Sequence, residues 1–284
     1  MLYLYVIYVI MFFKKQSAIL GILRLDYNYP AALGDIDCPE TFNYNVIYRV
    51  IPGLTFQMCQ SGDITDTVKN NIKTAVLWLN DNEVSGITGD CGFMMNIQDI
   101  VCMYTNKPVF LSALIQLPML VHSYKKTEKI AVLTANGDSL ANMSSLLYDL
   151  CSFDINNDTF VIVGCEDVLG FDAVALGEKV DTKLVEPNIV KKVENLLASN
   201  PDIKCILLEC TELPPYSDAI RYATELPVYD SITCSDFFMS GSIDNPRFGL
   251  NDWQNKWDKK QEVYKYGSNL SKKEKDTLVN KVTE

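Results

Sequence analysis

Residues 204–218 read KCILLECTELPPYSD, and the reading of this stretch decides the fold. Lys204–Leu208 is a strand whose apolar run is continuous rather than alternating, which suits a sheet covered on both faces. The run stops at Glu209 and Cys210. Thr211 and the prolines at 214 and 215 then open a helix, proline being at home in a first helical turn. A strand that leads straight into a helix start belongs to an α/β unit with a mostly parallel sheet. Cys210 therefore stands at the carboxyl end of a strand, where open α/β sheets place their ligands. The same grammar occurs earlier, in VSGITGDCGFMM over residues 84–95. There the strand Val84–Thr88 runs into a tight glycine turn, a helix is expected just after, and Cys91 sits at the junction.

Outward from these two stretches, short apolar runs alternate with amphipathic segments. Strands are expected at 18–25, 46–51 and 108–112, and again at 129–134, 160–163 and 227–230. The spacing predicts a helix over 65–82, with Val68, Ile72, Ala75, Val76 and Leu79 on one face. Two more are expected at 138–150 and at 187–199, the latter with Pro187 near its first turn. The halves repeat one order: Cys91 and Cys210 are 119 residues apart, and the strands opening at 19 and 130 are 111 apart. The expected architecture is thus a duplicated α/β fold, two pseudo-symmetric domains with mostly parallel sheets flanked by helices, each placing one thiol. The first domain covers 17–125, with 226–250 returning to it, and the second covers 126–225. Residues 1–16 form an apolar extension. Its uncharged run, 1–13, is shorter than the roughly 18–20 residues a spanning helix needs, and no positive segment precedes it as in a secretory signal. It reads as an accessory extension, with a membrane anchor, an uncleaved signal or an over-long gene start as the alternatives. The tail, 251–284, is charged, with eight lysines and five acids over 256–284, and reads as a solvated helix or an arm packed on a neighbour.

Composition excludes several function classes. With 36 acids and 25 bases the formal charge is −11, which argues against a nucleic-acid partner, since phosphate binding needs a basic face. The single histidine, His122, rules out mechanisms that need two imidazoles, and a His-rich metal site with them. No nucleophile-elbow glycine pattern surrounds it. Nine cysteines cannot all pair within one chain, and none shows CxxC spacing, so zinc ribbons and thioredoxin-type redox sites are not indicated. Unpaired thiols fit a reducing compartment, and a cytoplasmic location is expected. Seven of the nine, Cys165 and Cys234 among them, read as small buried apolar residues. Three sequons, at Asn142, Asn157 and Asn269, matter only in a secreted chain.

Two thiols at equivalent strand ends suit one reaction type. One removes a carbon-bound proton next to a carboxylate, and either the opposite thiol returns a proton or a β-leaving group departs. A free thiol with a pKa of about 8.5 is already partly thiolate near neutrality, and a nearby helix N-terminus favours the thiolate further. Histidine is not required.

The segments SGITGDCGFMM, TANG, VIVGCEDVLGFDA, LLECTELPPYSDA and ITCSDFFMSG resemble the aspartate/glutamate racemase superfamily, and most closely its branch containing the algal dimethylsulfoniopropionate (DMSP) lyases. The resemblance covers about 19–257. It implies two α/β domains, an active site between them, no cofactor, no metal and a homo-oligomer. It also implies catalytic thiols at Cys91 and at Cys210, the latter in the Cys-Thr-Glu segment. The substrate is then a small carboxylate: DMSP, split into dimethyl sulfide and acrylate, or aspartate or glutamate, racemised. A small-carboxylate-binding protein that kept the fold without catalysis is the alternative from another class. Two departures stand out. Racemases commonly have Asn and Thr after the first cysteine, where this chain has Gly92 and Phe93, and glycine before the second, where it has Glu209.

Other candidate substrate-binding residues follow. Arg24 could pair with a substrate carboxylate, or with Asp26 or Asp35 instead. Thr134 and Asn136 end a strand of the second half as hydrogen-bond donors or as turn formers. Thr211 could grip a carboxylate, and Glu212 could orient Cys210, take up a proton or simply start a helix. Tyr27, with Tyr29, Phe93 and Tyr216, could hold a sulfonium by cation–π contact worth about 0.5–2 kcal/mol each, or be ordinary packing.

Overall fold

In the computed structural model, which describes residues 18–243, two parallel sheets flanked by helices carry the chain. The apolar extension and the charged tail lie outside the described residues. The first sheet has the order β2-β1-β3, with β1 Ile19–Arg24, β2 Asn45–Val50 and β3 Gly86–Gly89. Leu20 pairs in register with Val46 on one side and Gly86 on the other. The second sheet has the order β5-β4-β6-β7, with β4 Lys129–Thr134, β5 Phe160–Gly164, β6 Ile203–Leu208 and β7 Val228–Tyr229. Val132 pairs with Ile162 and with Leu207. In each sheet the first strand in the chain is central and buried, which is why β1, β4 and β6 read as continuous apolar runs.

The helix Asp66–Asp81 covers the first sheet. The Thr65 side chain caps it by accepting the Val68 N–H, and its buried residues are the five that the periodicity selects. It comes close because Gly21 in β1 has no side chain: a Cβ there would lie 3.1 Å from both Leu79 and Val84. The stretch 108–112, expected as a strand, makes a single bridge, Val109 to Ile87, before Ser112 caps a 3-10 turn at Ala113–Gln116. Pro108 has no N–H to extend the ladder.

In the second half the expected helix over 138–150 is two, Gly137–Asn142 and Ser144–Cys151, broken at Met143. The helix expected from Pro187 begins instead at Thr182 and runs to Ser199. The Asp181 side chain accepts the Lys183 and Leu184 N–H groups there, and Val185 is fully buried. The cap and the apolar anchor carry the helix start past the proline, which stands in its second turn. After β7, which stays with the second sheet, the helix Ser231–Ser240 crosses back to the first, where Phe238 stacks on Phe110 with ring centroids 4.4 Å apart.

Candidate active site

Both cysteine turns are held by backbone. Asp90, just past β3, donates its N–H to the Leu23 carbonyl at 3.0 Å, and its carboxylate accepts the Leu25 N–H at 3.0 and 3.1 Å. Cys91 follows in extended conformation (φ −147°, ψ 128°), and a 3-10 turn over Gly92–Ile97 starts at once. Past β6, the Glu209 N–H bonds to the Leu133 carbonyl at 2.7 Å, and Cys210 opens the turn that leads into Pro214–Tyr216 and the helix Ser217–Thr224. One hydrogen bond joins the two turns directly: the Thr211 hydroxyl donates to the Asp90 carbonyl at 2.5 Å. Cys91 and Cys210 thereby line one cavity of about 360 Å³. Its wall is made by Phe56, Gln57, Gln60, Gly92 and Phe93 from the first half, and from the second by Ala135, Asn136, Cys165, Glu166, Glu209 and Glu212 together with Phe171, Asp172, Val174 and Ala175.

The other expected site residues divide between the cavity wall and the layer behind it. Gly92, Asn136 and Glu212 line the cavity. The Asn136 Oδ1 is used as a helix cap, accepting the Ser139 N–H at 2.8 Å. Thr134 and Thr211 are fully buried behind the wall. The Thr134 hydroxyl donates to Glu209 Oε2 at 2.7 Å, and Thr211 spans from Asp90 to Glu212. Arg24 is not on the wall; its partner is neither Asp26 nor Asp35 but Asp37, held through two hydrogen bonds of 2.9 and 2.7 Å, with Asp90 at 3.7 Å. Of the four aromatics, only Phe93 lines the cavity. Tyr216 is in the core, and Tyr27 stands edge-on to the lining Phe56, centroids 4.8 Å apart. Among the thiols read as buried, Cys165 also reaches the wall, Cys38 is half-buried and Cys102 is exposed.

Sequence reasoning missed Phe56, Phe171 and the two glutamines, which carry no strand-end signal. It noticed Glu209 only as a departure from a pattern. In the structure Glu209 is wholly buried, its Oε2 holds Thr134, and its Oε1 has no partner among the described residues. Gly92 makes room for it: a Cβ on residue 92 would fall 2.1 Å from Oε1 and 2.3 Å from the Glu209 carbonyl.

Among the described residues no lysine, arginine or histidine lines the cavity, while four carboxylic side chains do. Glu166 and Asp172 are exposed at its rim, and Glu209 and Glu212 are buried at its floor. Burial, then the charge of Glu212, pushes Glu209 up to about 8. Burial likewise pushes Glu212 up to about 7, against the hydrogen bond from Cys210. The Cys210 thiol donates to Glu212 Oε2 at 2.9 Å, and burial together with the charges of Glu212 and Glu209 raises its pKa well above the usual thiol value. Cys91 is raised too, first by a hydrogen bond with the Cys59 thiol, then by burial. Burial and the neighbouring carboxyl groups thus favour the protonated form of both thiols. A cation placed in the cavity would draw protons off the thiols and the floor carboxyls.

The chain is 52% identical over 265 residues to dimethylsulfoniopropionate lyase 7 of Emiliania huxleyi (strain CCMP1516), covering 92% of this chain and 78% of that protein. It is 48% identical over 261 residues to the dimethylsulfoniopropionate lyase of Durusdinium sp. clade D, covering 92% and 87%. Among solved structures the fold is similar to a glycine-to-cysteine mutant of arylmalonate decarboxylase (TM-score 0.52, 15% identity, 80% of this chain and 96% of that one). It is also similar to allantoin racemase from Klebsiella pneumoniae (TM-score 0.52, 10% identity, 82% and 92%) and to an aspartate racemase homologue from Pyrococcus horikoshii OT3 (TM-score 0.51, 15% identity, 80% and 99%). These likenesses concern the fold alone. No protein-family profile matches the chain.

Proposed function

Since the chain belongs to the dimethylsulfoniopropionate lyase family and is an enzyme of the lyase or racemase type, we propose that it converts DMSP to dimethyl sulfide and acrylate, without a cofactor, at a site built on Cys91 and Cys210. The observation that carries this reading is the cavity wall, where Cys91 and Cys210, with Cys165, stand among four carboxylic side chains and, among the described residues, no basic one. A zwitterion with an onium group supplies the positive charge that such a wall lacks. The aromatic rings of Phe56, Phe93 and Phe171 suit the methyl groups of a sulfonium.

Cys210 is the base. Its proton has an acceptor at 2.9 Å in Glu212, and the bound sulfonium makes the transfer favourable. A unit charge about 4 Å away contributes about 4 kcal/mol at an effective dielectric of about 20, which is about three pKa units. The Cys210 thiolate takes the proton α to the substrate carboxylate. The electron pair left on that carbon forms the new C=C bond as the bond from the β-carbon to sulfur breaks, and its electrons leave with neutral dimethyl sulfide. The abstracted proton stays on Cys210 and passes to solvent when the products depart. Cys91, kept protonated by Cys59 and by burial, faces the substrate as a neutral thiol.

The test is incubation in D₂O with DMSP, and separately with L-aspartate and L-glutamate, following headspace sulfide, chirality and deuterium at the α-carbon. Sulfide release from DMSP, lost by about 10²–10⁴-fold in Cys210→Ala, is the expected outcome. Inversion of the amino acids with deuterium uptake and no sulfide would overturn it in favour of racemisation.

A further inference from the structure

We infer that Glu209 is the specificity-determining residue for the substrate's positive charge, its buried carboxyl group lying beneath the onium group at the cavity floor. The inference rests on the reading of a sulfonium substrate and adds to it the residue that selects for charge. Four observations carry it. Glu209 is wholly buried, yet no lysine, arginine or histidine bonds to it. Its Oε2 is fixed by the Thr134 hydroxyl at 2.7 Å, which orients the carboxyl group. Its Oε1 is buried and has no hydrogen-bond partner among the described residues, and Glu209 is one of the residues that line the cavity. Finally, residue 92 is a glycine, and any larger side chain would occupy the space of Oε1.

A buried polar atom without a partner is costly, and a native site that keeps one calls for an explanation. The other carboxyl groups of the wall are otherwise engaged. Glu212 holds the Cys210 thiol and the Thr211 hydroxyl. Glu166 takes the Gly137 N–H at 2.6 Å, and it and Asp172 are exposed to water, where a charge contact is screened. Only Glu209 is dry, oriented through one oxygen and unpartnered among the described residues at the other. A ligand cation completes it, whereas an uncharged group of equal shape leaves it unsatisfied.

The experiment compares two non-reacting competitive ligands of the same shape, 3-(trimethylammonio)propanoate and 4,4-dimethylpentanoate, which differ in the charge at one atom. Inhibition constants are measured against DMSP turnover in the parent protein, Glu209→Gln and Thr134→Val. The parent is expected to prefer the onium ligand. In Glu209→Gln the onium constant rises about 10–100-fold, the range of a desolvated charge pair, while the neutral ligand's constant stays within about threefold. Thr134→Val, which frees the carboxyl from its anchor, gives a smaller loss with the same selectivity for charge. If both ligands weaken equally in Glu209→Gln, or neither does, the inference is overturned while the lyase reading stands. A parent protein that does not distinguish the two ligands overturns both.

Discussion

Gly92 and Glu212 show what single residues contribute. The methyl group of Gly92→Ala would fall 2.1 Å from the Glu209 carboxyl and 2.3 Å from its carbonyl. Backbone cannot yield as a flexible side chain can, so this substitution should destabilise the protein by about 1–3 kcal/mol and depress turnover more than binding of a neutral ligand. Chemical denaturation and steady-state kinetics read the two effects. For Glu212 the expectation concerns pH. It accepts the Cys210 proton only as a carboxylate, so kcat/KM should rise with pH through about 7. Glu212→Gln should remove that limb and lower kcat about 10²-fold or more; an unchanged pH profile would show that Glu212 plays no part in proton transfer. Cys91 and Cys210 were legible because a strand end followed by a turn is a local pattern. Glu209 was legible only as an oddity. Its meaning depends on the side chain absent at position 92, which lies 117 residues away in the chain.

Elements were legible where periodicity and capping agree. The helix Asp66–Asp81 buries the five residues its spacing selects, and Thr65 starts it. Thr65→Ala should therefore cost about 1 kcal/mol in thermal or denaturant unfolding. The helix Thr182–Ser199 was misread at its start because proline usually marks a first turn. Here the cap lies at Asp181 and Pro187 is internal. Pro187→Ala should stabilise the protein by about 2 kcal/mol, the helix gain of about 3 offset by about 1 from the freer unfolded chain. A calorimetric comparison that found destabilisation would mean the proline fits its turn without strain. The break at Met143 was illegible for another reason: the apolar spacing over 138–150 continues across it, although the backbone at Met143 (φ −80°, ψ 6°) leaves the helix.

For the whole molecule, the α/β class followed from strand–helix alternation, whereas the meeting of the halves did not. It rests on the hydroxyl of Thr211 reaching the Asp90 carbonyl across 121 residues of chain, a contact no local pattern announces. The same closure buries Glu209 and Glu212 and raises both above the ordinary 4.5, to about 8 and about 7. Between those values the folded chain holds protons that the unfolded chain gives up. These groups therefore stabilise the ligand-free protein fully below about 4.5, and the benefit is lost as pH rises through 7 to 8. The melting temperature should be several degrees higher at pH 6 than at pH 8.5, and Glu209→Gln should narrow the gap. The cavity without a basic side chain also bears on turnover. The proposed substrate enters with balanced charges, and the lyase step removes the positive one, leaving a small carboxylate anion among carboxylic side chains with no cation to hold it. Cleavage thus converts a fitting ligand into a repelled one, so the chemistry itself drives the site to clear. Acrylate should inhibit only at concentrations at least about tenfold above the KM for DMSP, a penalty of about 1.4 kcal/mol or more, and progress curves run to completion should show little slowing by product.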